Sequence, residues 1–287
     1  MEGDATSDRD RLLAFELALD EAVCDEVHRT SWGRLFLTPS TPLIWDANWV
    51  AIEAVGLTLD QVMAIADDAL GGEGLGHRTI GLLDEAEGRR LGEEVEAEAA
   101  KWPRWEVERT RYMLWRGGKV QPHLVSSHFP ADSAGKCELT GGGPGAPWVR
   151  EVRLAEIADL RRAIIAESMP AGGDGPEAVD QLFELDRRYG VPGGDRWFVA
   201  PPESDPMSAC RLLRADNIGQ VEEVGTLTPA RERGYAKAIV LAAIAAAQAE
   251  GDATIFLTAD AADWPQLFYA RLGFETVGDL TVLRRQP

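Results

Sequence analysis

Residues 235–250 place the strongest constraint on what this chain can fold into. The segment is built from good helix formers, is apolar nearly all round and stops at Gly251. A helix with no polar face is stable only when it is covered on every side. The segment after it, 253–258, is a short apolar strand of the kind buried on both faces. A buried helix running straight into a buried strand points to a layered α/β fold.

The flanking pattern agrees. Segments 148–154, 196–200, 208–214 and 220–228 read as strands, and 155–168 and 176–189 as helices, the second with Pro176 in its first turn. Ala215, Asp216, Asn217, Ile218 and Gly219 form a hairpin signal. A helix at 263–272 ends at Gly273, and 274–283 is the last strand. The first half also alternates, with helices at 11–27, 59–70 and 87–101 and strands at 34–38, 48–54, 77–83 and 105–115. Between the halves, 116–148 is rich in breakers, including Gly117, Gly118, Pro122, Pro130 and Pro144. The expected organisation is a first domain at 1–117, a linker at 118–147 and a second domain at 148–287.

Composition excludes several classes. The 287 residues are 45% hydrophobic and 27% charged, as in soluble globular proteins. No apolar run approaches the ~20 residues needed to span a bilayer. The start is polar and acidic, without secretory or transit character, so a cytoplasmic protein is expected. A net charge of −19 opposes binding to nucleic acid or to anionic membrane. It suits a cationic substrate, and solubility explains it equally well. Cys24, Cys137 and Cys210 lie far apart with no CxxC spacing, which argues against a disulfide framework and a zinc site. His28, His77, His123 and His128 show no i,i+4 pair with a carboxylate partner, so no metal is expected.

Chemistry is concentrated at one turn. The strand at 220–228 runs through Pro229 and Ala230 into Arg231, Glu232, Arg233, Gly234, Tyr235, Ala236 and Lys237, which open the buried helix. The first N–H groups of a helix have no intrahelical acceptor. With the positive end of the helix they suit a pyrophosphate, and Arg231 or Arg233 could add a charge-assisted bond. Gly234 and Ala236 are small where the backbone must approach a ligand closely.

Arg231, Gly234 and Ala236 match the R-x-x-G-x-A form of the acetyl-CoA motif of the GNAT N-acetyltransferase superfamily, and 224–238 resembles that motif as a whole. Downstream, 260–274 is similar to the second motif of the superfamily, with Tyr269, Leu272, Gly273 and Phe274 matching Y-x-x-L-G-F. One helix and one strand separate the two motifs, as the family requires.

The resemblance covers residues 148–287 and implies an α/β GNAT fold, a mixed central sheet flanked by helices, with acetyl-CoA as cosubstrate and no metal. The first half lacks the phosphate turn but keeps the strand and helix order, which implies a degenerate GNAT-like domain, as in tandem actinobacterial members. CoA pyrophosphate is then expected on the N–H groups of Glu232, Arg233, Gly234, Tyr235, Ala236 and Lys237. The pantetheine arm is expected along Val224 and Thr226, where the strand splays from the one at 253–258, with Gly225 letting the arm lie close.

Tyr269 matches the family position whose phenol protonates the departing thiolate; packing between Phe268 and Leu272 is its alternative role. Strict strand alternation puts Gln220, Glu222, Val224 and Thr226 on one face and Glu223 and Gly225 on the other. Glu222 is therefore the preferred base for the attacking amine, with Glu223 or water as alternatives. Asp263 suits helix capping. Trp32, Trp45, Trp49, Trp102 and Trp105 suit either a substrate wall or core packing. The implied function is acetyl transfer to an amine of a small molecule or peptide by direct attack. The competing reading is a non-catalytic acyl-CoA-binding module, and the sequence leaves the oligomeric state open.

Overall fold

A computed structural model describes residues 7–120, 149–169, 175–202 and 205–287. Most of the expected linker therefore lies outside the described residues, as do Cys137, His123 and His128.

The described chain forms two compact units. The first comprises Met1–Met113, Thr258–Arg271 and Glu275–Pro287; the second comprises Leu114–Leu257 and Leu272–Phe274. These units are not contiguous in sequence, unlike the segments expected from the chain: part of 148–287 belongs with the first half.

The first unit carries α1 (Asp8–Val23), β1 (Glu26–Arg29), β2 (Gly33–Leu37), β3 (Trp49–Ile52), α2 (Leu59–Gly72), β4 (Arg78–Leu82), α3 (Glu85–Ala97) and nearly all of β5 (Trp105–Trp115). Local chemistry fixes the helix starts. The Ser7 side chain accepts the Asp10 N–H at 3.1 Å, Thr58 and Gln61 form a capping box, and Asp84 accepts from Glu87 at 2.8 Å. The expected helix 11–27 stops at Val23, because Asp25 N–H donates to the Leu37 carbonyl and β1 then pairs antiparallel with β2. Sheet pairing overrides helical periodicity there.

The sheet of this unit runs β1-β2-β3-β4-β11-β5, where β11 (Phe274–Arg285) is the last strand of the chain. It is mixed: β3 and β4 are parallel, while β11 pairs antiparallel with β4 from Thr281↔Leu82 to Arg285↔Arg78. Its core joins Val50, Ile52, Val62, Leu70, Ile80 and Leu283. The five tryptophans pack within this unit. Trp49 stacks on Phe36 at 4.9 Å, Trp45 stacks on His77 at 5.4 Å, and Trp32, Trp102 and Trp105 lean on the core.

The second unit carries β6 (Arg150–Val152), α4 (Ala158–Ser168), α5 (Gly175–Gly193), β7 (Trp197–Ala200), β8 (Ser208–Ala215), β9 (Ile218–Thr226), α6 (Tyr235–Ala249) and most of β10 (Thr254–Asp260). Its sheet runs β10-β9-β8-β7-β6, parallel between β10 and β9 and antiparallel elsewhere. The β8–β9 hairpin turns at Asp216 (φ 49) and Asn217 (φ 59), the left-handed pair that a two-residue turn requires. Arg214 clamps its base, reaching the buried Asp252 carboxylate at 2.5 and 2.7 Å.

α6 packs against β7, β8 and β9, and its Ile239, Val240, Ala242, Ala243 and Ile244 are fully buried, as its apolar composition requires. Val152, Ile157, Ile164, Trp197 and Ala209 build a second cluster with α4. No helix among the described residues is long and apolar enough to cross a membrane. Among the same residues, no group of His, Cys, Asp and Glu could hold a metal ion.

Candidate functional site

The turn between β9 and α6 has the form of an anion cradle. Gly234 is the N-cap of α6 at φ 82, and among the described residues no side chain caps the helix. Glu232 also lies in the left-handed region, at φ 64, so two such residues flank Arg233. Successive N–H groups in this kind of backbone converge on one point. Those of Tyr235, Ala236 and Lys237, in the first turn of α6, lack intrahelical acceptors. A side chain at position 234 would oppose the left-handed cap, which explains the glycine. Arg233 and Lys237 are exposed beside the cradle. Arg231 folds back instead: its Nε donates to the Thr226 carbonyl at 3.2 Å, and its Nη2 lies 3.7 Å from Glu167. Glu167 also accepts from the Thr228 N–H and hydroxyl, each at 2.8 Å, and so anchors the turn to α4.

β9 leaves one edge open. Its pairing with β10 stops at Gln220↔Phe256, whereas its pairing with β8 continues to Thr226↔Ser208. The expected splay is present, and among the described residues no strand pairs with Val221 to Thr226 on the β10 side. An extended ligand arm can add to such an edge through backbone hydrogen bonds. Gly225 does not provide its room, however. A Cβ there would meet Ile164 Cγ2 at 2.3 Å, so that space belongs to α4 packing.

Strict alternation fails on the same strand. Arg211 faces Glu222 and Ala209 faces Gly225, so Glu223 and Val224 stand together opposite Cys210 alone. This is a β-bulge, with Glu223 at φ 56. The extra residue brings Glu222 and Glu223 into one cluster rather than onto opposite faces.

Arg211 donates to Glu222 at 2.7 Å and to the Asp186 carboxylate at 3.2 Å. Arg161 donates to Asp186 at 2.6 Å and also to Glu223. Gln220 donates to the other Glu222 oxygen at 2.8 Å. The buried Trp197 ring lies 5.5 Å from the Arg161 guanidinium and 5.6 Å from that of Arg211. The Arg161, Asp186 and Arg211 side chains are 5%, 4% and 2% exposed, while Glu222 is 25% and Glu223 37% exposed. The two glutamates therefore form the wet edge of the cluster.

Their acidities diverge. Burial raises Glu222, and Arg211 only partly offsets it. Burial also acts on Glu223, but Arg161 and Arg211 outweigh it and hold that carboxyl below its ordinary range. Burial, reinforced by Glu223, pushes Asp186 up to about 6. A carboxylate with raised pKa makes the better proton acceptor near neutral pH.

Tyr269 is buried on α7 (Pro265–Leu272), a helix shared between the first unit, which holds Tyr269, and the second, which takes Leu272. Its ring lies 5.2 Å from that of Phe268. Gln266 holds the start of α7, donating to the Ala261 carbonyl and accepting from Arg111. The Asp263 carboxylate accepts the Trp264 N–H at 2.7 Å, just ahead of the first helical residue.

The sequence reading missed Arg161, Asp186 and Arg211. Two signals were available: Arg161 interrupts the apolar face Leu160, Ile164 and Ile165, and Arg211 sits between Cys210 and Leu212 in an otherwise apolar strand.

Residues 162–274 match the model of the acetyltransferase (GNAT) family. No curated protein matches the chain. Among solved structures, a GCN5-related N-acetyltransferase from Kribbella flavida is similar with a TM-score of 0.57 and 17% identity, covering 99% of this chain and 97% of that one. A functionally unknown conserved protein from Staphylococcus epidermidis superposes with a TM-score of 0.63 at 13% identity, over 92% and 95% of the two chains. A GCN5-related N-acetyltransferase from Sphaerobacter thermophilus gives 0.54 at 14% identity, over 91% and 75%. The chain shares the α/β fold of these solved structures. The likeness to the acetyltransferase (GNAT) family extends over 162–274, less than half of the chain.

Proposed function

We propose that this protein transfers an acetyl group from acetyl-CoA to an amine of a small molecule or peptide by direct attack. The observation that carries the reading is the open β9 edge leading into an uncapped α6 N-terminus with left-handed Glu232 and Gly234. Backbone groups of Val224 and Thr226 fit the pantetheine arm, and the N–H groups of 232–237 fit the pyrophosphate, with Arg233 and Lys237 beside them. Bound acetyl-CoA supplies the thioester carbon; the chain orients the acceptor and handles protons. As the amine nitrogen bonds to that carbon, its proton passes to the Glu222 carboxylate. The carbon–sulfur bond then breaks, and the Tyr269 hydroxyl gives its proton to the thiolate.

Thiol release from acetyl-CoA across a panel of amines tests the reaction, with calorimetry for cofactor binding. Amine-dependent release is expected; no release with any amine and no binding heat would refute the reading. Tyr269→Phe should lower turnover by about 10²–10⁴-fold at unchanged acetyl-CoA affinity. Unchanged turnover would remove Tyr269 from the mechanism.

A further inference from the structure

The cluster behind the bulge contains more than a base needs. Two guanidinium groups, Arg161 and Arg211, meet three carboxylates, Asp186, Glu222 and Glu223, leaving one negative charge in excess. The pieces come from four elements: Arg161 from α4, Asp186 from α5, Arg211 from β8 and the glutamates from β9. Besides these, Gln220 on β9, Tyr189 on α5 with its ring 5.2 Å from the Arg211 guanidinium, and Trp197 on β7 face the group.

Asp186 is the hub. It accepts from both arginines, and each arginine reaches one glutamate. A buried ion cluster of this kind is a poor source of stability, because desolvation offsets its Coulomb attraction. Its geometry does something else: it pins the left-handed bulge residue Glu223 and fixes the Glu222 carboxylate by hydrogen bonds to each of its oxygens.

We propose that Asp186, with Arg161 and Arg211, is a positioning residue of the transfer reaction: it holds Glu222 and Glu223 as one proton-accepting unit whose spare negative charge keeps Glu222 basic. This inference rests on the acetyl-transfer reading. In the step it serves, the neutral amine bonds to the thioester carbon and its proton passes to Glu222, which becomes the neutral acid, so the cluster goes from one excess negative charge to none. Glu222 releases that proton to water before the next turnover, and Tyr269, having protonated the thiolate, regains its proton from water. Asp186 takes neither the amine proton nor the substrate; it sets how strongly Glu222 holds that proton. Without its charge, the two arginines balance the two glutamates, and Glu222 becomes a weaker base.

The test is the pH profile of kcat/KM for the full chain, using acetyl-CoA and the best amine from the panel. In Asp186→Asn, which keeps an oxygen acceptor for the arginines, the acid limb should move down by about one pH unit, the size expected for loss of a near like charge. Turnover on the plateau should fall as well. Glu223→Gln, at a half-exposed position, removes the same charge without touching the buried hub, so it reports even where Asp186→Asn fails to fold. Its limb should move the same way, with turnover lowered but measurable. An unmoved limb in a folded variant, or a loss equal at every pH, overturns the proposal, because a structural role alone leaves the limb in place. Abolished turnover in Glu223→Gln also overturns it, since Glu223 would then be the base. A wild-type protein inert with every amine overturns the transfer reading, and this proposal with it; an active wild type with unmoved limbs overturns only this proposal.

Discussion

Gly225→Ala should destabilise the protein, although Gly→Ala in a strand ordinarily does the reverse. Gly225 is not in the left-handed region, so alanine can adopt its backbone, and reduced freedom of the unfolded chain should favour the variant by about 0.4–1 kcal/mol. Against this, the new Cβ would lie 2.3 Å from Ile164 Cγ2 and 3.3 Å from its Cδ1. Carbon atoms rest at about 3.5–4.0 Å, so β9 and α4 must separate by more than 1 Å locally. Overpacking of that kind costs about 1–3 kcal/mol, leaving a net loss of about 1–2 kcal/mol in urea unfolding. The clash is with one methyl group, which makes the cause testable by a double-mutant cycle. Ile164→Ala alone should cost about 2–5 kcal/mol through the cavity it leaves. Combined with Gly225→Ala it should cost at least 1 kcal/mol less than the sum, because the offending Cγ2 is gone. Ile164→Val keeps that methyl and should give no relief. A neutral or stabilising Gly225→Ala, or additivity with Ile164→Ala, would refute the assignment of this glycine to helix packing.

Two further outcomes follow from buried charge. Arg214→Ala should cost about 3–5 kcal/mol in urea unfolding, because it strands an Asp252 carboxylate that is 1% exposed. Arg214→Lys should recover only part of this, since one ammonium cannot span both oxygens; a loss below about 1 kcal/mol would show that the clamp is not structural. Asp186 is pushed up to about 6 from 3.8, so between those values the folded protein binds more protons than the unfolded chain, and the Asp186 contribution is lost as pH rises through that window. The stability difference between wild type and Asp186→Asn should therefore fall by on the order of 2–3 kcal/mol from pH 4 to pH 6, and a flat difference would contradict the raised pKa.

Much of the second unit was legible because its signals are local. The uniform apolarity of 235–250, the Asp216–Asn217 turn and the small residues at 234 and 236 each dictate a conformation through their own chemistry. The two motifs then placed the cradle without any knowledge of the sheet. The last strand shows the limit of that kind of reading. Alternation in 274–283 identifies a strand but carries no label for its neighbours, and β11 pairs with β4, some two hundred residues earlier in the chain, rather than completing the second unit. Partner choice rests on long-range packing, such as Leu283 entering the core of Val50 and Ile80, which no window of sequence contains.

The bulge shows a different limit, with a consequence for chemistry. Reading Glu222 and Glu223 as a two-faced pair assumed a period of two along the whole of β9, and one inserted residue ends that period. Neither glutamate is a residue type that announces positive φ, so the sequence around 223 gives no local reason for the break. The reason lies across the sheet: Arg161 and Arg211 are buried on α4 and β8, and neither could stay buried and charged without carboxylates turned towards it. The bulge is how one strand supplies two of them from adjacent positions. A charge placed in an apolar helix face or strand is therefore the feature to follow in a sequence of this kind, because the fold has to bend something else to meet it.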